Sequence, residues 1–255
     1  MAASAITARA ITQSGPWGPV YGPIDLDIPE GGLNVLVGPA GSGRTALLMT
    51  LAGRMKAESG DLDVLGESAP RGIFRRSGMV GVEGLDSIYE SVRVVDLLTE
   101  QLRWDAPWYT LVGRARPDDL RRVCGPVFGD LRLPGLGEYV EELPELDGLL
   151  LRIALGNTKH PPLLVVGAID QVAGARDQRL LVDRLIALGT RQTVITASAN
   201  PLPPDVGWRT QTAVPNLVQH QLLPDQRDAG QRDAGQPDAG QPDADRRDAT
   251  REGGR

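Results

Sequence analysis

Apolar positions along the chain recur in two rhythms, and together these predict strands alternating with helices. Residues 6–12 and 24–28 read as short strands, and 33–37 is an almost wholly apolar one. Residues 62–65 and 79–82 suit a fourth and fifth strand of the same kind. Leu163, Leu164, Val165 and Val166 form an unbroken apolar run, as expected of a strand covered on both faces. Residues 193–196 suit a last core strand. Between these lie helical stretches. Residues 46–51 and 149–156 are strongly apolar, and 177–188 carries one apolar face. Residues 92 to about 140 read as mostly helical, with breaks at Pro107, Pro117, Pro126 and Pro134. Strands separated by helices imply an α/β chain with a mostly parallel sheet.

The pattern stops near the end. From Pro224 onward an imperfect five-residue repeat begins with Gln226-Arg227-Asp228-Ala229-Gly230, and later copies carry Pro237 and Pro242. Without large apolar side chains this stretch cannot offset the entropy of ordering. Residues 223–255 are therefore expected to be a disordered tail behind a domain of residues 1–222.

Composition narrows the function classes. A net charge of −6 argues against binding nucleic acid through a basic surface. Cys124 is the single cysteine, so no disulfide closes within the chain, and a small core residue is its expected role. His160 and His220 stand far apart, without metal-ligand spacing. No apolar run reaches the ~20 residues that cross a bilayer, and the first nine residues lack a signal-peptide pattern. A cytoplasmic chain is expected, reaching the inner face of a membrane only through a partner.

The chemistry lies between the 33–37 strand and the 46–51 helix. Gly38, Pro39, Ala40, Gly41, Ser42, Gly43, Arg44 and Thr45 follow the phosphate-loop spacing G-x-x-x-x-G-K-[ST], with arginine in place of lysine. Glycines let the backbone turn and approach a ligand, and successive amides up to Ala46 then converge on phosphate oxygens at the helix start. Thr45 offers a hydroxyl suited to magnesium. Arg44 keeps the positive charge, but its planar fork is larger and differently directed.

This order of parts resembles the nucleotide-binding domain of ABC transporters over roughly residues 4–200. The resemblance is carried by residues 24–31, the phosphate loop, Leu51-Ala52-Gly53, Ser59-Gly60-Asp61, Leu65-Gly66-Glu67 and residues 91–98. It implies a P-loop core of ABC type with an N-terminal antiparallel β part and a helical subdomain over about 84–148. It also implies ATP and magnesium as ligands, a dimer of such domains (with itself or with a relative) and a membrane-spanning partner subunit. Trp17 sits where the family stacks an aromatic ring on adenine, with Tyr21 as the other candidate.

Later motifs depart from the family. Glu83 stands where the family has a glutamine near magnesium. Glu145-Leu146-Asp147-Gly148-Leu149 stands where it has L-S-G-G-Q, and only Gly148 agrees. Gly167 and Ala168 replace the aspartate and glutamate that position magnesium and activate water, and Ala199, followed by Asn200, replaces the switch histidine. Asp170, a few residues on, is expected to point away from the site. The resemblance thus implies nucleotide binding with weak or no hydrolysis. Two alternatives stay open: a soluble nucleotide-binding regulator or scaffold, and a structural remnant that no longer meets nucleotide.

Overall fold

A computed structural model of the chain describes residues 3–82 and 91–215, all inside the compact unit Met1–Gln219. The expected tail, His220 and Glu83 lie outside the described residues.

Two long strands open the fold. Strand β1 (Ser4–Gly15) and strand β2 (Gly18–Pro29) pair antiparallel, and β1 pairs antiparallel on its other edge with β4 (Ser59–Val64). The result is a three-stranded sheet in the order β2-β1-β4. The second sheet is parallel throughout its recorded pairings. It runs β5 (Ser77–Val80), β6 (Leu163–Ala168), β7 (Thr193–Ser198), β3 (Gly32–Val37), β8 (Thr210–Ala213). Parallel neighbours need crossovers, which the helices between them supply.

Side-chain alternation explains why the parallel sheet is apolar on both faces. Leu164, Val166, Val194, Leu33 and Val35 face one core, shared with α3 (Val94–Asp105), α4 (Pro117–Phe128), α5 (Glu145–Gly156) and α6 (Ala175–Gly189). Leu163, Val165, Ile195, Ala197 and Leu36 face the other core. There they meet α1 (Arg44–Leu51) and the antiparallel sheet through Ile6, Leu26 and Ile28. The phosphate loop leaves the sheet at the end of β3, between these two cores.

Several elements differ from the sequence reading. Pro126 lies inside α4 rather than breaking it. It sits in the last turn, so the one backbone hydrogen bond it removes is near the frayed end. The 92–140 stretch is two separate helices, with residues 106–116 between them non-helical. Helix α2 (Pro70–Arg76) and strand β8 carry no strong apolar rhythm: α2 buries only Ile73, and β8 is the polar edge Thr-Gln-Thr-Ala. Leu65-Gly66-Glu67 forms a tight turn with positive φ at Leu65 and Gly66, closed by a single bridge between Val64 and Glu67.

Candidate nucleotide site

The loop from Gly38 to Gly43 is held by backbone contacts on three sides. The Gly38 amide donates to the Ser198 carbonyl at 3.0 Å, tying the loop to the end of β7. The Ser42 amide donates to the Pro39 carbonyl at 3.2 Å, and the Leu47 amide to the Gly43 carbonyl at 2.9 Å begins α1. Gly43 has φ +75°, and a Cβ there would lie 2.2 Å from the Val20 carbonyl oxygen, so only glycine lets β2 back onto the loop. Gly41, with φ +80°, faces open space. Pro39, Ala40, Gly41 and Thr45 are exposed, and Ala46 is half-buried.

Ser42 is 1% exposed, and its hydroxyl oxygen is buried without a hydrogen-bond partner. A buried orphan of this kind beside an open glycine turn is what a phosphate-binding cradle leaves without its anion. The loop therefore fits nucleotide phosphates. Magnesium has thinner support. Thr45 is exposed and able to ligate, but no group of three or more His, Cys, Asp or Glu among the described residues could hold a metal ion.

Arg44 does not reach freely into the cradle. Its Nη1 donates to Asp170 at 2.9 Å, with the two side chains 12% and 33% exposed. The other Asp170 oxygen accepts from the Ala199 amide at 2.8 Å. The carboxylate thus joins the start of α1, the turn after β6 and the end of β7. The sequence reading turned Asp170 away from the site, and the structure corrects this: the 3-10 turn Ile169–Gln171 swings its side chain back toward the loop. One signal was available, because Asp170 is the only acid between Leu163 and Arg176.

Within the end of β6, Gly167 is closed to a side chain. A Cβ on Gly167 would lie 1.8 Å from the Gly81 carbonyl oxygen. Gln171 Nε2 donates to that oxygen at 2.9 Å and to the Ala168 carbonyl at 2.8 Å. Thr196 Oγ1 donates to the Gly167 carbonyl at 2.7 Å. Backbone and amide groups thus occupy the space that a carboxylate on Gly167 would need. A cavity of about 220 Å³ remains between the phosphate loop and these strand ends, lined in part by Arg44, Thr45, Gly81, Ala168, Asp170 and Gln171.

The other sequence candidates fall apart from this centre or are occupied. Residues 145–149 form the first turn of α5, and the Gly148 amide donates to the Pro144 carbonyl at 2.9 Å. That amide is a helix bond, not a free ligand donor. The Glu145 carboxylate accepts from the Ala173 amide at 2.7 Å. Burial pushes the Asp147 carboxyl above the usual range, and Glu138 and Asp177 add to this, while Arg132 opposes it. Trp17 is 100% exposed in the β1–β2 turn, three residues before Val20. Tyr21 is buried, and its hydroxyl donates to Thr50 Oγ1 at 2.8 Å, which removes it as an adenine platform.

A phosphate loop on a parallel sheet, a flanking antiparallel sheet and a helical insertion define a class of protein, and the comparisons agree with it. Residues 21–112 match the family described as ABC transporter. The chain is thus similar to ABC-type nucleotide-binding domains, in sequence over residues 21–112 and in fold beyond them. It is 37% identical over 67 residues to the cytochrome c biogenesis ATP-binding export protein CcmA of Xanthomonas campestris, covering 26% of this chain and 31% of that one. It is 23% identical over 209 residues to the "Probable ribonucleotide transport ATP-binding protein mkl" of Mycobacterium leprae, covering 77% and 57%. The chain thus spans about a third of the length of the CcmA relative it matches.

Among solved structures, cbiO1 of Clostridium perfringens, part of the ABC transporter complex cbiONQ, aligns with a TM-score of 0.65 at 14% identity. That alignment covers 87% of this chain and 92% of cbiO1. The ATP-binding cassette MJ0796, a dimer in a post-hydrolysis state with ADP and Pi, aligns at 0.62 and 13%, covering 83% and 94%. These likenesses show the fold. No helix among the described residues is long and apolar enough to cross a membrane.

Proposed function

We propose that this chain is the ATP-binding subunit of an ABC-type transporter or membrane complex, and that it holds nucleotide with weak or no hydrolysis. In this reading it acts at the cytoplasmic face, paired with a second nucleotide-binding domain and with a membrane-spanning subunit. The observation that carries the low activity is the closed end of β6, where the Gly81 carbonyl fills the place of a side chain on Gly167. Ala168 next to it has no group to take a proton from water. Loss of a general base alone is worth typically ~10²–10⁴-fold in rate.

Binding draws on different groups. The amides of the loop would hold the phosphates, and Trp17 is exposed and able to stack on the base. Magnesium would take Thr45 and phosphate oxygens and screen their charge. Nucleotide then works as a two-state ligand: it favours the closed arrangement against a partner, and its release favours the open one.

Titration with ATP, with and without magnesium, beside a phosphate-release assay tests both halves. We expect saturable binding and phosphate release at least ~10²-fold below that of an intact cassette. Trp17→Ala is expected to weaken ATP by roughly fivefold or more, since stacking on a base is worth ~1–3 kcal/mol. Turnover at the ordinary level, abolished by Arg44→Ala, would sink the low-activity half. Absence of binding at millimolar ATP would sink the other.

A further inference from the structure

The phosphate loop carries one cationic side chain, Arg44, and that cation already has an anion. Both oxygens of Asp170 are engaged, one by Arg44 Nη1 at 2.9 Å and the other by the Ala199 amide at 2.8 Å. The carboxylate is therefore aimed, not adventitiously close. It lines the same 220 Å³ cavity as Thr45 and Gln171, so a ligand entering that cavity meets it. Arg44 is only 12% exposed, and its charge is spent on Asp170 before any phosphate arrives. A second anion in this space must either displace Asp170 from Arg44 or share Arg44 with it against like-charge repulsion.

We propose that Asp170 is a built-in counter-ion which nucleotide phosphate must displace from Arg44, so that this pair sets how strongly the site favours each phosphate charge state. The inference rests on the nucleotide-binding reading and concerns a residue that reading does not use. Its consequence is specific. A carboxylate opposing the ligand's own charge penalises ATP more than ADP, and ADP more than AMP. It also holds Arg44 folded against the strand ends until a ligand of sufficient charge replaces it.

Calorimetric titration of the full chain with AMP, ADP and ATP, in chelator and in magnesium, tests this with Asp170→Asn, Asp170→Glu, Arg44→Ala and Arg44→Ala combined with Asp170→Asn. Asp170→Asn is expected to tighten ATP by about tenfold in chelator, because phosphate then no longer has to displace a charged partner from Arg44. The gain should be smaller for ADP and smallest for AMP. Asp170→Glu should stay near the parent, and the gain should shrink in the Arg44→Ala background. If Asp170→Asn unfolds early, Asp170→Ser should give the same order.

An unchanged ATP affinity with the parent still binding ATP overturns this inference alone. So does an equal gain for all three nucleotides, which would mark general loosening. Weaker binding on Asp170→Asn overturns it as well: in magnesium it makes Asp170 a metal-shell ligand, and in chelator a support that orients Arg44 for phosphate. Absence of binding by the parent and every variant overturns both this inference and the nucleotide-binding reading.

Discussion

Gly167 shows how backbone packing can decide which side chain a position accepts. A carboxylate could be missing there with the pocket left open to receive one. The pocket is not open, because the Gly81 carbonyl oxygen would stand 1.8 Å from any Cβ, and Gln171 Nε2 holds that carbonyl at 2.9 Å. Gly167→Asp is therefore expected to destabilise the fold by about 1–3 kcal/mol in urea unfolding, as overpacking does. Phosphate release should stay at the parent level. Parent-like stability with a rise in turnover would show that the β5 end yields. That Gly167 and Ala168 carry no acid at the end of an apolar run was legible in the sequence. The filling of the space was not, because Gly81 and Gln171 come from distant parts of the chain and meet Gly167 only in the sheet.

Helix α5 was legible from its apolar face, but not where it starts. The helix begins at Glu145, so the stretch aligned with the family's signature is its first turn. Its amides lean on Pro144, and Asp147 sits where burial and the charges of Glu138 and Asp177 all disfavour ionisation. The sign follows from linkage: a carboxyl with a folded value above its unfolded one weakens the fold as pH rises through that window. Asp147→Asn is thus expected to raise the melting temperature at pH 7 and to leave it unchanged near pH 3. Because Asp147 is only half-buried, the shift should be small. An equal shift at both pH values would assign the effect to packing instead of charge. At the same scale, β8 and α2 escaped the sequence because neither carries an apolar rhythm. The β8 edge is specified by pairing with β3, with Thr210 Oγ1 donating to Asn34 Oδ1 at 2.6 Å.

Over the whole described unit, two apolar cores lie on the two faces of one parallel sheet, and the phosphate loop exits at their boundary. Cys124 reports on the integrity of the first core. It is fully buried, and burial alone pushes its thiol from the usual 9.0 up to about 12. A disulfide reagent at pH 8 should find it silent in the native protein and reactive after denaturation. The folded form keeps the proton that the unfolded form releases, so this group lowers stability as pH rises from about 9 to about 12. Cys124→Ala should remove that part of the alkaline decline in urea midpoints; an unaltered decline would assign it elsewhere. The sequence by itself determined the strand–helix alternation and the phosphate-loop spacing, since each is written in local spacing and residue type. The tertiary structure alone decided that Asp170 turns back onto Arg44, that Gly81 closes the end of β6, and that Tyr21 is core while Trp17 is exposed. Those outcomes depend on which distant strand ends are brought side by side, and only the packed sheet does that.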